Sequence, residues 1–167
     1  EYSHQNRFRE ALELLRDALL ARPRSADLRA EYGIVKYVLM DTDEAEREAE
    51  AVLGVKAEHP RAPAGQGAVA ARRCRYAEAV ALLLRAMNAG AEGWWVLSNL
   101  AMCASLAGDK ERVLQALGGM LRSNRLETLH LMDTDDHYRR YRQDPDVQGL
   151  LRSAALLEGE LADKGGP

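Results

Sequence analysis

Residues 67–86 read Gly67-Ala-Val-Ala-Ala-Arg-Arg-Cys-Arg-Tyr76-Ala-Glu-Ala79-Val-Ala-Leu-Leu83-Leu-Arg-Ala86. A small residue leads, a short polar break follows, and then Ala79, Leu83 and Ala86 line one helical face. The same arrangement returns at a fixed distance of 34 residues in both directions. Ala11, Ala45, Ala79 and Val113 share that spacing, and so do Leu15, Ala49, Leu83 and Leu117. Ala18, Val52, Ala86 and Met120 follow the same rule. On the other side of the break, Gly33, Gly67 and Ala101 are also 34 apart. A period of this length marks a helix–turn–helix solenoid, because one hairpin cannot bury its apolar stripe and must stack on the next.

The remaining composition agrees. Of 167 residues, 47% are hydrophobic but only 5% aromatic, with Ala and Leu carrying most of the apolar content. Small apolar residues at helical spacing suit close helix packing better than a sheet. The expected class is all-α, a right-handed superhelix (α-solenoid) of antiparallel helix pairs. The net charge of -3 argues against a general nucleic-acid binder. Two cysteines, Cys74 and Cys103, form no paired motif and fit a reducing, cytoplasmic setting. No apolar run approaches the roughly 20 residues of a membrane span. The start at Glu1 and the end at Gly165-Gly166-Pro167 read as an excised piece of a longer protein, which leaves a removed targeting segment open as an alternative.

Along the chain, residues 2–5 read as the tail of a first helix, and a second helix opens at residue 7 and runs to about Arg22, where Pro23 stops it. Helices are expected over about 26–39, 44–58, 61–74, 76–89, 93–107 and 110–122. The late Pro60 suggests that the helix from Glu44 is about one turn longer than its counterparts. After Asn124 the period fails. A turn with capping residues is expected at 133–136, a short helix from His137 to Arg142, and a last helix opened by Asp144-Pro145. Val147, Leu150, Leu151, Ala154, Leu157 and Leu161 give that last helix an apolar stripe, which predicts a capping helix. The division is therefore an array over 1–124, with one partial and three full repeats, and a divergent C-terminal segment over 125–167.

These residues resemble the tetratricopeptide repeat (TPR) family. Gly33, Gly67 and Ala101 match that family's small residue midway along the first helix. Phe8 before Ala11 and Tyr76 before Ala79 match its aromatic, and Pro23 and Pro60 its closing proline. The usual tryptophan of the first helix is replaced by Arg29, Pro63 and Leu97, and residues 42 and 110 lack the aromatic. Ala107-Gly108-Asp109, the acidic run 133–136 and Gln143-Asp144-Pro145 are similar to a C-terminal form of TPR array found at the end of longer bacterial multidomain proteins.

The resemblance implies a non-enzymatic protein-binding module with no cofactor. The first helices would line a concave face including Glu31, Ile34, Tyr37, Arg61, Ala64, Ala68, Arg72, Trp95, Asn99 and Met102. In TPR domains that grip carboxylate tails, set groove positions carry Lys, Asn and Arg. Only Asn99 agrees here, which disfavours that ligand class. The implied partner is another protein or peptide, an acidic one in view of Arg61 and Arg72, with homo-oligomers also compatible. The competing expectation is that both arginines pair with the acidic stretch 41–50. Self-association, docking within a larger parent chain, and a secretion or assembly chaperone are the alternative functions.

Two clusters contain residue types that can do chemistry. His137 beside Asp133, Asp135 and Asp136 contains metal-ligand types, but the spacing matches no calcium loop, and capping accounts for it. Cys74 among Arg72, Arg73 and Arg75 lacks a nearby histidine base. For the adjacent Trp94 and Trp95, about 100° apart on a helix, one is expected to pack and the other to stay open to a ligand.

Overall fold

A computed structural model describes the backbone of residues 2–164 and the side chains of residues 7–154. Among the described residues there is no strand. Nine α-helices run in order: α1 (Tyr2–Ala21), α2 (Ala26–Val38), α3 (Thr42–Val55), α4 (Arg61–Arg72), α5 (Tyr76–Asn88), α6 (Trp94–Ala107), α7 (Lys110–Ser123), α8 (Arg125–Thr134) and α9 (Pro145–Lys164). A 3₁₀ turn, Asp136–Tyr141, lies between the last two. The chain forms two compact units, Glu1–Ala91 and Glu92–Pro167.

In the first unit α2 pairs with α3 and α4 with α5, while α1 packs on α2, α3 on α4, and α2 on α4. Close approach within each pair depends on the small residues. A Cβ on Gly67 would sit 2.9 Å from Leu83 Cγ and 3.3 Å from the Ala79 carbonyl oxygen. One on Gly33 would sit 3.2 Å from Glu48 Cβ. The facing positions Ala45, Ala49, Val52, Ala79, Leu83 and Ala86 are all buried. Ala30, Val52 and Ala62 join α2, α3 and α4 in one apolar cluster, so the stack shares its core rather than adding separate ones.

The second unit repeats the pairing with α6 and α7. Ala101 and Val113 take the close-contact positions and are wholly buried. From there the pattern changes. α8 and α9 both pack on α7, and the 3₁₀ turn packs on α6 and α8. Leu150 reaches Gly118 of α7, with its Cδ1 3.7 Å from where a Cβ would stand. Asp144 caps α9, accepting from the Asp146 amide at 3.0 Å and the Val147 amide at 3.4 Å. Leu157 and Leu161 lie outside the described side chains.

The three hairpin turns are built alike. Residues 40, 74 and 108 all take positive φ, at 68°, 58° and 79°. The next amide in each case closes a six-residue bond at 2.9 Å: Asp41 to Lys36 O, Arg75 to Ala70 O, and Asp109 to Ala104 O. These are Schellman closures, which need a left-handed residue. Gly108 suits that conformation. Met40 and Cys74 occupy it with a side chain attached.

Three local expectations are corrected. α1 is one helix from Tyr2, with no break near residue 6. α3 has 14 residues against 13 in α5 and 14 in α7, so it carries no extra turn. The late Pro60 is accommodated by a loop instead. There His59 is tucked in at 2% exposure, with Nε2 3.0 Å from Asp27 Oδ1 and Nδ1 accepting the Arg61 amide. α8 was not foreseen. A single residue separates it from α7: Asn124, which caps it by accepting from the Glu127 amide at 3.2 Å.

Candidate functional site

In the first unit the faces in question belong to α2 and α4. Glu31 and Arg61 form an ion pair across the two helices, both partly exposed. Ile34 is half-buried, and Ala64 and Ala68 are buried at 3% and 1% exposure. Those two alanines form a floor rather than an open space. Near the helix ends, the Arg72 guanidinium lies over the Tyr37 ring, 3.7 Å from its centroid, and Nη1 donates to the Tyr37 carbonyl oxygen at 2.6 Å.

The acidic stretch is met by different arginines from those in question. Arg73 donates to Glu46 at 2.6 Å and to Asp43 at 2.7 Å. Arg75 lies near Glu46 and pairs with Glu78 at 2.9 Å. Arg29, standing where the family has tryptophan, pairs with Glu48 at 2.9 Å. Among the described residues Arg72 has no carboxylate partner. It is half-buried and held in place by an aromatic ring and a backbone carbonyl. Sequence reading alone missed this arrangement, because its two partners are 35 positions apart and one of them is a main-chain atom.

In the second unit the corresponding face is on α6. Trp95 is 38% exposed. Trp94 turns inward, donating from Nε1 to Thr128 Oγ1 of α8 at 3.3 Å. The two indoles thus divide as helix geometry requires. Asn99 donates to the Trp95 carbonyl oxygen at 2.8 Å and Ser98 to the same atom at 3.0 Å, so the Asn99 amide is engaged on its own helix. Met102 is half-buried.

Asp135 stands at the N-cap of the 3₁₀ turn and His137 within it. Asp135 accepts the His137 amide at 2.9 Å, capping the 3₁₀ turn, and lies 2.5 Å from the His137 Nδ1. Cys74 is exposed at its hairpin turn. Burial pushes the Cys103 thiol up to about 11, which keeps it protonated at neutral pH. Tyr138 is buried, with its hydroxyl donating to the Ser98 carbonyl oxygen at 3.3 Å; burial raises its pKa well above the ordinary value. Among the described residues no helix is long and apolar enough to cross a membrane.

No family model and no curated protein matches the sequence. Solved structures do. The chain is similar to MamA at 12% identity, covering 96% of this chain and 94% of that one, with a TM-score of 0.64. It is similar to PilF of Pseudomonas aeruginosa at 25% identity, covering 92% and 71%, with a TM-score of 0.61. A double mutant of MamA from RS-1 matches at 20% identity over 87% and 86%, with a TM-score of 0.57. MamA and PilF are TPR proteins, and their match extends over helices that pair as the 34-residue period requires. The fold of this chain is that of the tetratricopeptide-repeat proteins it is similar to.

Proposed function

We propose that the domain is a non-enzymatic, cytoplasmic protein-interaction module that holds an acidic peptide segment of another protein on its first-helix faces. The observation that carries this reading is Arg72. A half-buried guanidinium without a carboxylate partner among the described residues is a ready donor for one, and Tyr37 has already restricted its rotamers. Ile34, three positions before Tyr37 on α2, is half-buried and offers apolar contact, and the buried Ala64 and Ala68 let a ligand backbone lie close to α4. On α6, the exposed Trp95 and half-buried Met102 form a separate apolar contact of the type found at binding hot spots. The ion pair of Arg61 with Glu31 reduces the share of charge that Arg61 brings.

The test is selection from a random peptide library by the native domain and by Arg72→Glu, after circular dichroism and thermal melting show that the variant is folded. Native protein is expected to enrich Asp- and Glu-containing peptides. The variant should lose at least about tenfold in affinity for them, since a hydrogen bond to a charged group contributes about 1.5–3 kcal/mol. Equal selection of acidic peptides by both proteins would remove Arg72 from the site, and no enrichment of them by the native protein would remove the acidic ligand.

A further inference from the structure

An open cavity of about 580 Å³ lies in the second unit where the end of α6 meets the 3₁₀ turn. Ser105 and Leu106 line it from α6, and Asp136, His137, Arg139 and Arg140 line it from the turn. Each of the six stands two 34-residue periods after a residue of the first unit. In the same order these are Tyr37, Val38, Ala68, Val69, Ala71 and Arg72. That earlier set spans the ends of α2 and α4, which also pack together. There a ring fills the junction, since the Arg72 guanidinium lies over Tyr37 at 3.7 Å from its centroid. In the second unit Ser105 stands in the place of Tyr37, so the ring is missing.

The walls specify what would replace it. Ser105 is buried, and its hydroxyl donates to the His137 carbonyl oxygen at 2.5 Å. That bond ties the two walls together and uses the only proton the hydroxyl has. Leu106, 40% exposed, gives an apolar side. Arg139 takes the place of the buried Ala71 and is exposed. Arg140, the counterpart of Arg72, lies over its own neighbour Tyr141, 4.8 Å from that centroid. A guanidinium is planar, so the ring of Tyr141 covers one face of it. Among the described residues neither Arg139 nor Arg140 has a carboxylate partner. His137 is met by Asp135, which leaves Asp136 as the carboxylate of the lining against two guanidinium groups.

We infer that this cavity binds an aromatic carboxylate, with its ring where the repeat register puts the ring of Tyr37 and its carboxylate on Arg139 and Arg140. The ring gains an apolar contact with Leu106 and a cation–π contact with Arg140, as Tyr37 does with Arg72. The carboxylate gains charge-assisted hydrogen bonds from donors that have no other acid to meet. A cavity with an apolar side and a few convergent polar groups is the usual form of a small-ligand site. The site lies on different residues from Arg72 and stands independently of the ligand proposed there.

The test is a titration of the isotope-labelled 167-residue chain, followed by the amide signals of Leu106, His137, Arg139 and Arg140. One probe is 3-phenylpropionate, and the other is the blocked peptide acetyl-Gly-Phe-Asp-Gly-amide, which carries the same two groups on a polypeptide. Saturable shifts at these amides are expected. Tighter binding of the free acid would assign the source as a small molecule, and tighter binding of the peptide would assign it as a protein segment; both support the site. Cyclohexanepropionate, which keeps the carboxylate but has no flat ring, should bind about threefold more weakly than 3-phenylpropionate. The double variant Arg139→Gln, Arg140→Gln should lose at least about tenfold, and Leu106→Glu should lose binding by repelling the carboxylate. All three positions are exposed, and the spectra themselves report whether each variant is folded. Arg72→Glu should leave the shifts at these amides as they are in the native chain. No saturable shift with either probe, or equal binding by the double variant, would overturn the inference.

Discussion

The guanidinium of Arg72 is stacked 3.7 Å above the ring of Tyr37 and bonded at 2.6 Å to that residue's own carbonyl oxygen. One side chain thereby ties the C-terminal end of α4 to the C-terminal end of α2. Carbonyls at a helix end are short of partners and carry the negative end of the helix dipole, so a cation there is favourable on both counts.

This tie predicts a cost on removal. Arg72→Ala should destabilise the first unit by about 1–2 kcal/mol, combining a partly exposed cation–π contact with a charged hydrogen bond. Arg72→Lys should recover only part of it, because an ammonium cannot stack flat on the ring and reach the carbonyl together. Urea denaturation of the three proteins checks this. An unchanged midpoint for Arg72→Ala would mean that the tie contributes nothing.

Gly67 and Gly149 should respond in opposite ways to alanine. At Gly67 the new Cβ would meet Leu83 Cγ at 2.9 Å, a branch point that cannot swing away alone. Gly67→Ala should cost about 1–3 kcal/mol by overpacking, and Gly67→Leu more. At Gly149, in α9, a Cβ meets nothing within 4 Å, so Gly149→Ala should stabilise by about 0.5–1 kcal/mol through helix propensity. Thermal melts of both single variants test the pair.

Met40 and Cys74 sit where Gly108 sits in the third hairpin, with φ of 68° and 58°. A left-handed residue with a Cβ costs about 1–2 kcal/mol, while glycine costs about 0.5–1 kcal/mol in the unfolded chain. Met40→Gly and Cys74→Gly should therefore each be neutral to stabilising, by up to about 1 kcal/mol. Most glycine substitutions in a helical protein go the other way. A clear drop in melting temperature for both would contradict the turn geometry.

Lys110 at the start of α7 reaches Asp144 and Asp146 at the start of α9, each at 2.7 Å. Its hydrogen bond holds the Asp144 carboxyl below the ordinary value of 3.8. A depressed folded pKa means that the unfolded chain binds the proton more readily. The stabilisation is then fully present above 3.8 and is lost as pH falls through the lower folded value. Lys110→Met should lower stability at pH 6, and the gap from the native protein should close in acid below the carboxylate range. A gap independent of pH would remove the carboxylates from the account.

The helix from Pro145 should be needed by the second unit. α9 covers α7 with Val147 wholly buried and Leu150 near Gly118. Ending the chain at Asn124 exposes that side of α7 and removes α8, the partner of Trp94. Solenoid ends need a cap to stay soluble. Aggregation or loss of cooperative unfolding is expected. A monomeric truncated chain with the native melting temperature would rule out the capping role.

The period of 34, the helix pairs and the close contacts at Gly33, Gly67 and Ala101 were all legible in the residues. They follow from spacing along a regular helix, repeated until chance is a poor explanation. Asp144-Pro145 was legible for a similar reason, since a cap acts within a few residues of itself. The 3₁₀ turn fell close to the expected short helix at 137–142. α8 was not legible, because residues 125–134 carry little apolar periodicity of their own and are held by packing on α7.

The destinations of the charged and aromatic side chains belong to the tertiary structure. The residues 72–75 hold three arginines facing a choice of six acids in 41–50. Composition could not say that Arg73 and Arg75 would reach that acidic stretch, that Arg61 would pair with Glu31, or that Arg72 would settle on a ring and a carbonyl. The half-exposed face of α1, Ala11, Leu15 and Ala18, likewise has the same residue types as the buried Ala79, Leu83 and Ala86 of α5, and differs in having no hairpin partner among the described residues. Periodicity encodes which face of a helix is apolar, because that is set by neighbours three and four positions away. What each face or charge then meets depends on atoms some 30 residues distant, and only the stacked helices bring those within reach.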